Sequence, residues 1–245
     1  MTTASAIDVN TILNRVAVEV GLDSVTDPYG STEKHFTQMI GLLQVAGEEL
    51  ALAYEWEFLT KTHQITTVAA TDTGDYDLPT DFHYMIPQTG WERANNVPLG
   101  GPLTAQDWTY LLGRDLATQT IYASFRLRTG KFSIFPQPPP DALDINFEYQ
   151  SKNWLTNAAG DEEKYDIDAG TNIVLYDRTL ITRYLKLKFL ESKGFDTTKA
   201  QDSFNQIFGF LTGKDKSAPI LSAGGMVQYP YLDSHRNIAD TGFGT

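Results

Sequence analysis

No cysteine occurs among the 245 residues of this chain. Its absence excludes disulfides, thiol nucleophiles and Cys-based zinc or iron–sulfur sites together, and it suits a reducing cytosol. Basic residues are scarce as well: 19 Lys and Arg stand against 31 Asp and Glu, a formal net charge of −12. A protein that grips nucleic acid by neutralising phosphates needs clustered Lys and Arg, so that class is not expected, and DNA nearby is repelled rather than held. No stretch approaches the roughly 18 uninterrupted apolar residues of a membrane span. The opening Met1-Thr2-Thr3-Ala4-Ser5-Ala6-Ile7-Asp8 lacks the basic and apolar regions of a signal peptide. A soluble protein with no membrane partner is expected.

What is present is patterned. The apolar content of 41% over this length is enough for one substantial domain, or a core plus a subdomain, without staples. Asp8 is placed to cap a first helix carrying Ile12, Leu13, Val16 and Val20 at helical spacing, with Gly21 as its stop. After the turn Asp27-Pro28-Tyr29-Gly30, Ser31 opens a longer helix with Phe36, Met39, Ile40, Leu43, Ala46, Leu50, Ala53 and Tyr54 along one side. Gly41 and Gly47 each weaken that helix by about 1 kcal/mol relative to Ala, so packing must hold it, and they mark close approach of a neighbouring helix.

From Thr62 the period changes to two. Residues 64–68, 76–78, 82–86, 120–127, 131–135 and 145–149 are rich in β-branched and aromatic side chains and are separated by Gly, Pro and Asp. They read as strands of an antiparallel sheet. Arg128-Thr129-Gly130-Lys131 is a tight hairpin connection, and Pro136-Gln137-Pro138-Pro139-Pro140 is a stiff extended connector. Thr104 caps a short helix through Asp107, Trp108 and Leu111. The helical period returns after Tyr176. Asp177 caps a helix with Leu180, Ile181, Tyr184, Leu185 and Phe189, Gly194 ends it, and Asp196 caps another with Phe204, Ile207, Phe208 and Leu211. Residues 1–60 hold two basic against nine acidic side chains, and residues 177–216 hold eight basic against five acidic, which lets an acidic helix pair dock on a more basic one.

The expected fold is therefore α+β: a four-helix bundle with an inserted antiparallel β domain and an extended C-terminal arm. Its parts are the N-terminal helices over 1–60, the β-rich insertion over 61–176, the helix pair completing the bundle over 177–213, and the arm over 214–245. The arm has no helical or strand period, yet it carries the apolar anchors Ile220, Leu221, Met226, Tyr229, Tyr231 and Phe243. Linkers that stay unfolded are depleted in such anchors, so these are the expected partner-binding residues.

Chemistry is thinly represented. His35, His63, His83 and His235 are far apart, without the i, i+4 partner of a helical metal site. There is no Gly-x-Ser-x-Gly elbow, phosphate loop or dinucleotide fingerprint. The acidic run Asp161 to Gly170 approximates a calcium loop, but it is one residue short of the glycine spacing and lacks the closing Glu. A solvated acidic loop is expected there. Asp75, Asp77, Asp81, Glu92 and Asp107 supply carboxylates of the kind a glycosidase pairs, two of them beside Trp91 and Trp108. Their separation is not readable from sequence, and the same aromatics suit a carbohydrate-binding β-module or a tail-associated host-recognition protein, which is the alternative reading. No enzyme activity, metal or cofactor is expected.

The helical first quarter ends in Ala53-Tyr54-Glu55-Trp56-Glu57-Phe58. Strands follow, then the extended Tyr76-Asp77-Leu78-Pro79-Thr80-Asp81-Phe82, and a closing helical pair after Tyr176. This order over residues 8–212 resembles the head-to-tail adaptor (connector) proteins of tailed bacteriophages, of the tail tubular protein A or tail accessory factor kind found in short-tailed phages. The resemblance implies a virion protein at the head–tail interface, assembled in the host cytoplasm. It would form a homo-oligomeric ring of about twelve copies under the portal protein. It also implies a platform for the tail nozzle or tubular protein, and DNA passing through the lumen without specific binding. Trp56 and Phe58 are expected to pack between the bundle and the β domain.

Overall fold

The computed structural model describes residues 7–68, 73–113 and 124–215. Two hydrophobic cores organise them, one built mainly by helices and one by sheets.

In the first core, α1 (Val9–Glu19) buries Val9, Ile12, Leu13, Val16 and Ala17, the stripe that a 3.6-residue period puts on one face. Asp8 does not cap through its side chain, which takes the Thr11 hydroxyl. The first N–H groups of α1 are met instead by the carbonyls of Asn172 and Gly170, at 3.0 and 2.9 Å. The longer α2 (Lys34–Ala53) buries Phe36, Met39, Leu43, Ala46, Gly47, Leu50 and Ala51. It starts later than expected, since the Ser31 hydroxyl serves the Glu33 N–H instead of opening the helix. Later in the chain, α4 (Arg178–Ser192) is capped by the Asp177 carboxylate, which accepts from the N–H groups of Thr179 and Leu180. It touches α1, α2 and also α5 (Thr198–Asp215), whose start is held by Asp196.

These helices do not make a four-helix bundle. A bundle needs each helix to bury a stripe in a shared centre, and α5 has no buried residue at all. Moreover α1, with 11 residues, is about 16 Å long and covers only half of the roughly 30 Å of α2. The remaining wall comes from a small antiparallel sheet of order β1-β12-β10-β11, formed by β1 (Ile7–Asp8), β10 (Leu155–Thr156), β11 (Glu163–Lys164) and β12 (Ile173–Val174). Trp154, Leu155, Val174 and Tyr176 from this region join the helical core. The protein is mixed α+β, and the expected bundle with one inserted β domain is corrected accordingly. The 61–176 stretch divides, its last strands completing the helical lobe. Residues 216–245 of the expected arm lie outside the described residues.

The second core lies between two antiparallel sheets in a sandwich-like arrangement. The central strand β9 (Asp144–Ser151) pairs along one edge with β2 (Thr60–Thr66), from Thr60↔Gln150 to Thr66↔Asp144. Its other edge is shared by β4 (Phe82–Met85) and β5 (Trp91–Glu92), and β6 (Val97–Pro98) extends β5. The facing sheet has the order β3-β8-β7, with β3 (Asp75–Asp77), β7 (Ser124–Arg128) and β8 (Lys131–Phe135). The expected hairpin is present: Thr129 and Gly130 both have positive φ, 49° and 74°, the two-residue turn whose twist matches its strands. Phe125, Phe132 and Phe147 stack in a column with ring centroids 4.9 Å apart at each step, and this column joins the two sheets. The short helix α3 (Ala105–Gly113), capped by Thr104, lays Trp108 edge-on to Phe135.

Candidate functional site

The carboxylates with catalytic potential are each committed to structure. Glu92 is buried, and its oxygens accept the N–H groups of Ala94, Asn95 and Asp144 at 2.9, 2.7 and 3.2 Å. Burial alone raises its pKa, but those backbone bonds outweigh it and hold the carboxyl below its ordinary value. Asp75 accepts from Ser133 and Gln137, Asp77 pairs with Lys131, and Asp107 closes the cap of α3 with Thr104. Three of the four tryptophans, Trp56, Trp108 and Trp154, are buried, while Trp91 is half-buried with Arg93 over its ring.

Asp81 organises a polar cluster at the joint between the two lobes. It accepts from Lys61 at 2.6 Å, from the Tyr149 hydroxyl at 3.0 Å and from the Ser151 hydroxyl at 2.8 Å. Lys61 also binds Glu163 on β11, so one ammonium ties the large sheet to the sheet of the helical lobe. Burial pushes the Asp81 carboxyl up, yet the donors from Lys61, Ser151 and Tyr149 leave it lowered overall. Burial lowers the Lys61 ammonium, but its two carboxylates more than reverse this. Burial and the Asp81 carboxylate both raise the Tyr149 phenol. Nearby His63 is lowered by burial against a weaker opposing pull from Asp81. Within the cluster the Asp81 carboxylate accepts three hydrogen bonds and the Lys61 ammonium bridges two carboxylates. These bonds join the large sheet to the sheet of the helical lobe.

The acidic loop is a clasp. Gln44 of α2 donates to the Tyr165 carbonyl and accepts the Ile167 N–H, while Gly170 fits against the Asn10 side chain of α1. Lys164 pairs with Asp168 at 2.6 Å, and among the described residues no group of three or more His, Asp or Glu side chains is arranged to hold a metal ion.

No family model and no curated protein matches this chain. Among the described residues, no helix is long and apolar enough to cross a membrane. The charge asymmetry between the helix pairs becomes contact: Glu19 of α1 meets Arg183 and Lys186 of α4 at 3.0 Å each, and Glu49 of α2 meets Lys188 at 2.7 Å and the Tyr184 hydroxyl. The open side of this lobe is α5. Phe204 stacks on Tyr184 at 4.4 Å and Phe208 meets Trp56 edge-on at 6.1 Å, but Phe210 stays 60% exposed and Phe195, just before the helix, 62%.

Trp56 lies within the helical core. Its indole N–H donates to the Leu50 carbonyl at 2.7 Å, and its own carbonyl accepts from Gln150 of β9. Phe58 rests edge-on against Tyr176 but remains 41% exposed. The expected partner-binding residues Ile220, Leu221, Met226, Tyr229, Tyr231 and Phe243 lie outside the described residues. Sequence reasoning missed a groove of about 240 Å³ on the outer face of the three-stranded sheet, lined by Asp75, Trp108, Arg126, Arg128, Lys131 and Gln137. Its signal was legible: Phe125-Arg126-Leu127-Arg128 alternates, which aims both arginines to one side of a strand.

Proposed function

We propose that this chain is a structural head-to-tail adaptor of a tailed phage. It forms a ring between the portal protein and the tail nozzle, lines the path of DNA ejection and catalyses nothing. The observation that supports this best is α5, eighteen residues with no buried residue on a lobe that is otherwise well packed. An amphipathic helix left half-covered, with Phe210 exposed on it and Phe195 exposed just before it, is the surface that an assembly partner covers. The order of elements and the Trp56-Glu57-Phe58 and Leu78-Pro79-Thr80-Asp81-Phe82 segments supply the family resemblance, which names the partners. The net charge of −12 suits a conduit along which DNA slides without sticking. The anchors from Ile220 to Phe243 extend the contact onto the portal or a neighbouring copy.

Two variants test the reading. One ends after Lys216, and the other carries Phe195→Ser and Phe210→Ser. Both should keep the circular dichroism spectrum of the full chain and lose most of their binding to the portal protein of the same phage in co-sedimentation. Portal binding by both at the level of the full chain would overturn the proposal.

A further inference from the structure

The groove on the three-stranded sheet holds more positive charge than its own strands use. Strand pairing sets two rows across its outer face: Asp77, Lys131 and Arg128 in one, Asp75, Ser133 and Arg126 in the next. Lys131 and Arg128 stand directly opposite each other, an arrangement of like charges that destabilises a sheet. Asp77 takes Lys131 and Asp75 is bonded to Ser133 and Gln137, so among the described residues neither guanidinium has an ion pair. Two arginine forks at alternate positions of an edge strand, over a cavity of about 240 Å³, match carboxylate side chains in size and chemistry.

The same chain carries a matching projection. The hairpin between β10 and β11 turns through residues 157–162. The Asn157 N–H donates to the Glu162 carbonyl at 2.8 Å, and the Asn157 side chain accepts the N–H groups of Gly160 and Asp161. Its tip presents Asp161, bonded to Asn157, and Glu162, which is 67% exposed and 3.8 Å from Lys164. Glu163 and Asp168 are already committed to Lys61 and Lys164. No residue of this tip lines the groove of its own chain.

We infer that the Arg126 and Arg128 groove receives the Asp161 and Glu162 hairpin tip of a second copy. A contact between two different patches of identical chains is head-to-tail, and head-to-tail contacts close into rings when the rotation permits. The contact supplies register and encounter rate, while the apolar faces supply area. This inference rests on the ring reading and specifies how neighbours meet.

Because the chain has no cysteine, an introduced thiol is unique. Full-length T129C, at the groove, and A159C, at the tip, are mixed with a short bis-maleimide. Ring formation on the portal is followed by light scattering. The mixed dimer should form in the unmodified charge background and fall about tenfold when either partner carries its reversal, R126E/R128E beside T129C or D161R/E162R beside A159C. It should also fall in about 0.5 M salt, and return when both reversals face each other. Rings that form normally from R126E/R128E protein, with a cross-link indifferent to charge, would overturn this contact and leave the adaptor reading intact. A charge-dependent cross-link without any ring would keep the contact and overturn the ring. The absence of both would sink the two together.

Discussion

Alanine at Gly47 drives a methyl group into the Trp154 ring, whereas alanine at Gly41 of the same helix enters open space. A Cβ at Gly47 stands 2.3 Å from the nearest indole carbon, where a relaxed carbon contact needs about 3.5–4.0 Å. Ring or helix must retreat by more than an ångström. Neither is free to do so: Trp154 is fully buried and stacked on Tyr176, whose hydroxyl donates to the Gly47 carbonyl at 2.9 Å. Overpacking of this kind costs about 3 kcal/mol, and the gain in helix propensity returns about 1, leaving a net loss of about 2 kcal/mol. A Cβ at Gly41 meets nothing within 4 Å, so Gly41→Ala should stabilise by about 1 kcal/mol. The two variants therefore differ by about 3 kcal/mol, or roughly 6–12 °C in Tm for a chain of this size. Urea unfolding followed by tryptophan fluorescence measures both. W154F in the Gly47→Ala background should recover part of the loss, a coupling between two contacting sites. Equal stability of the two alanine variants would refute the packing described for this core.

Lys61→Met leaves the Asp81 carboxylate, 12% exposed, without its cation and should cost about 2 kcal/mol at neutral pH. Because the folded Asp81 pKa is lowered, its contribution is intact above about pH 4 and lost as pH falls through the folded value, so Asp81→Asn should flatten acid unfolding below about pH 4. Glu92→Ala should cost about 2 kcal/mol in urea, since it strands three backbone N–H groups; a loss under about 0.5 kcal/mol would contradict that role. Burial first, then the bond to Glu49, pushes the Tyr184 phenol up to about 12. NMR titration of its ring should show this value moving towards about 10 in Glu49→Gln. The stability held by the neutral phenol is complete below about pH 10 and lost as pH rises through about 12.

Long periodic segments were legible in the sequence. The stripes of α1, α2 and α4, the Asp177 and Thr104 caps and the Thr129-Gly130 turn follow from local chemistry, which tertiary packing reinforces here. The helical lobe's architecture was not legible because β1, β10, β11 and β12 have two residues each, too few to show a period of two. Gly47 signalled a close approach, but the partner is the Trp154 indole from a distant segment instead of a neighbouring helix. The Phe204, Ile207, Phe208 and Leu211 stripe fits a bundle helix equally well as a half-covered one, since periodicity reports which face is apolar and not what covers it. The joint around Asp81 is invisible in sequence because Lys61, Tyr149 and Glu163 converge only through strand pairing.

The most direct test is the mass of the purified full-length chain by light scattering, alone and mixed with the portal protein of the same phage, with the mixture imaged by electron microscopy. A closed ring of about a dozen copies, free or templated on the portal, is the expected result. A chain that stays monomeric and ignores the portal would contradict the adaptor proposal.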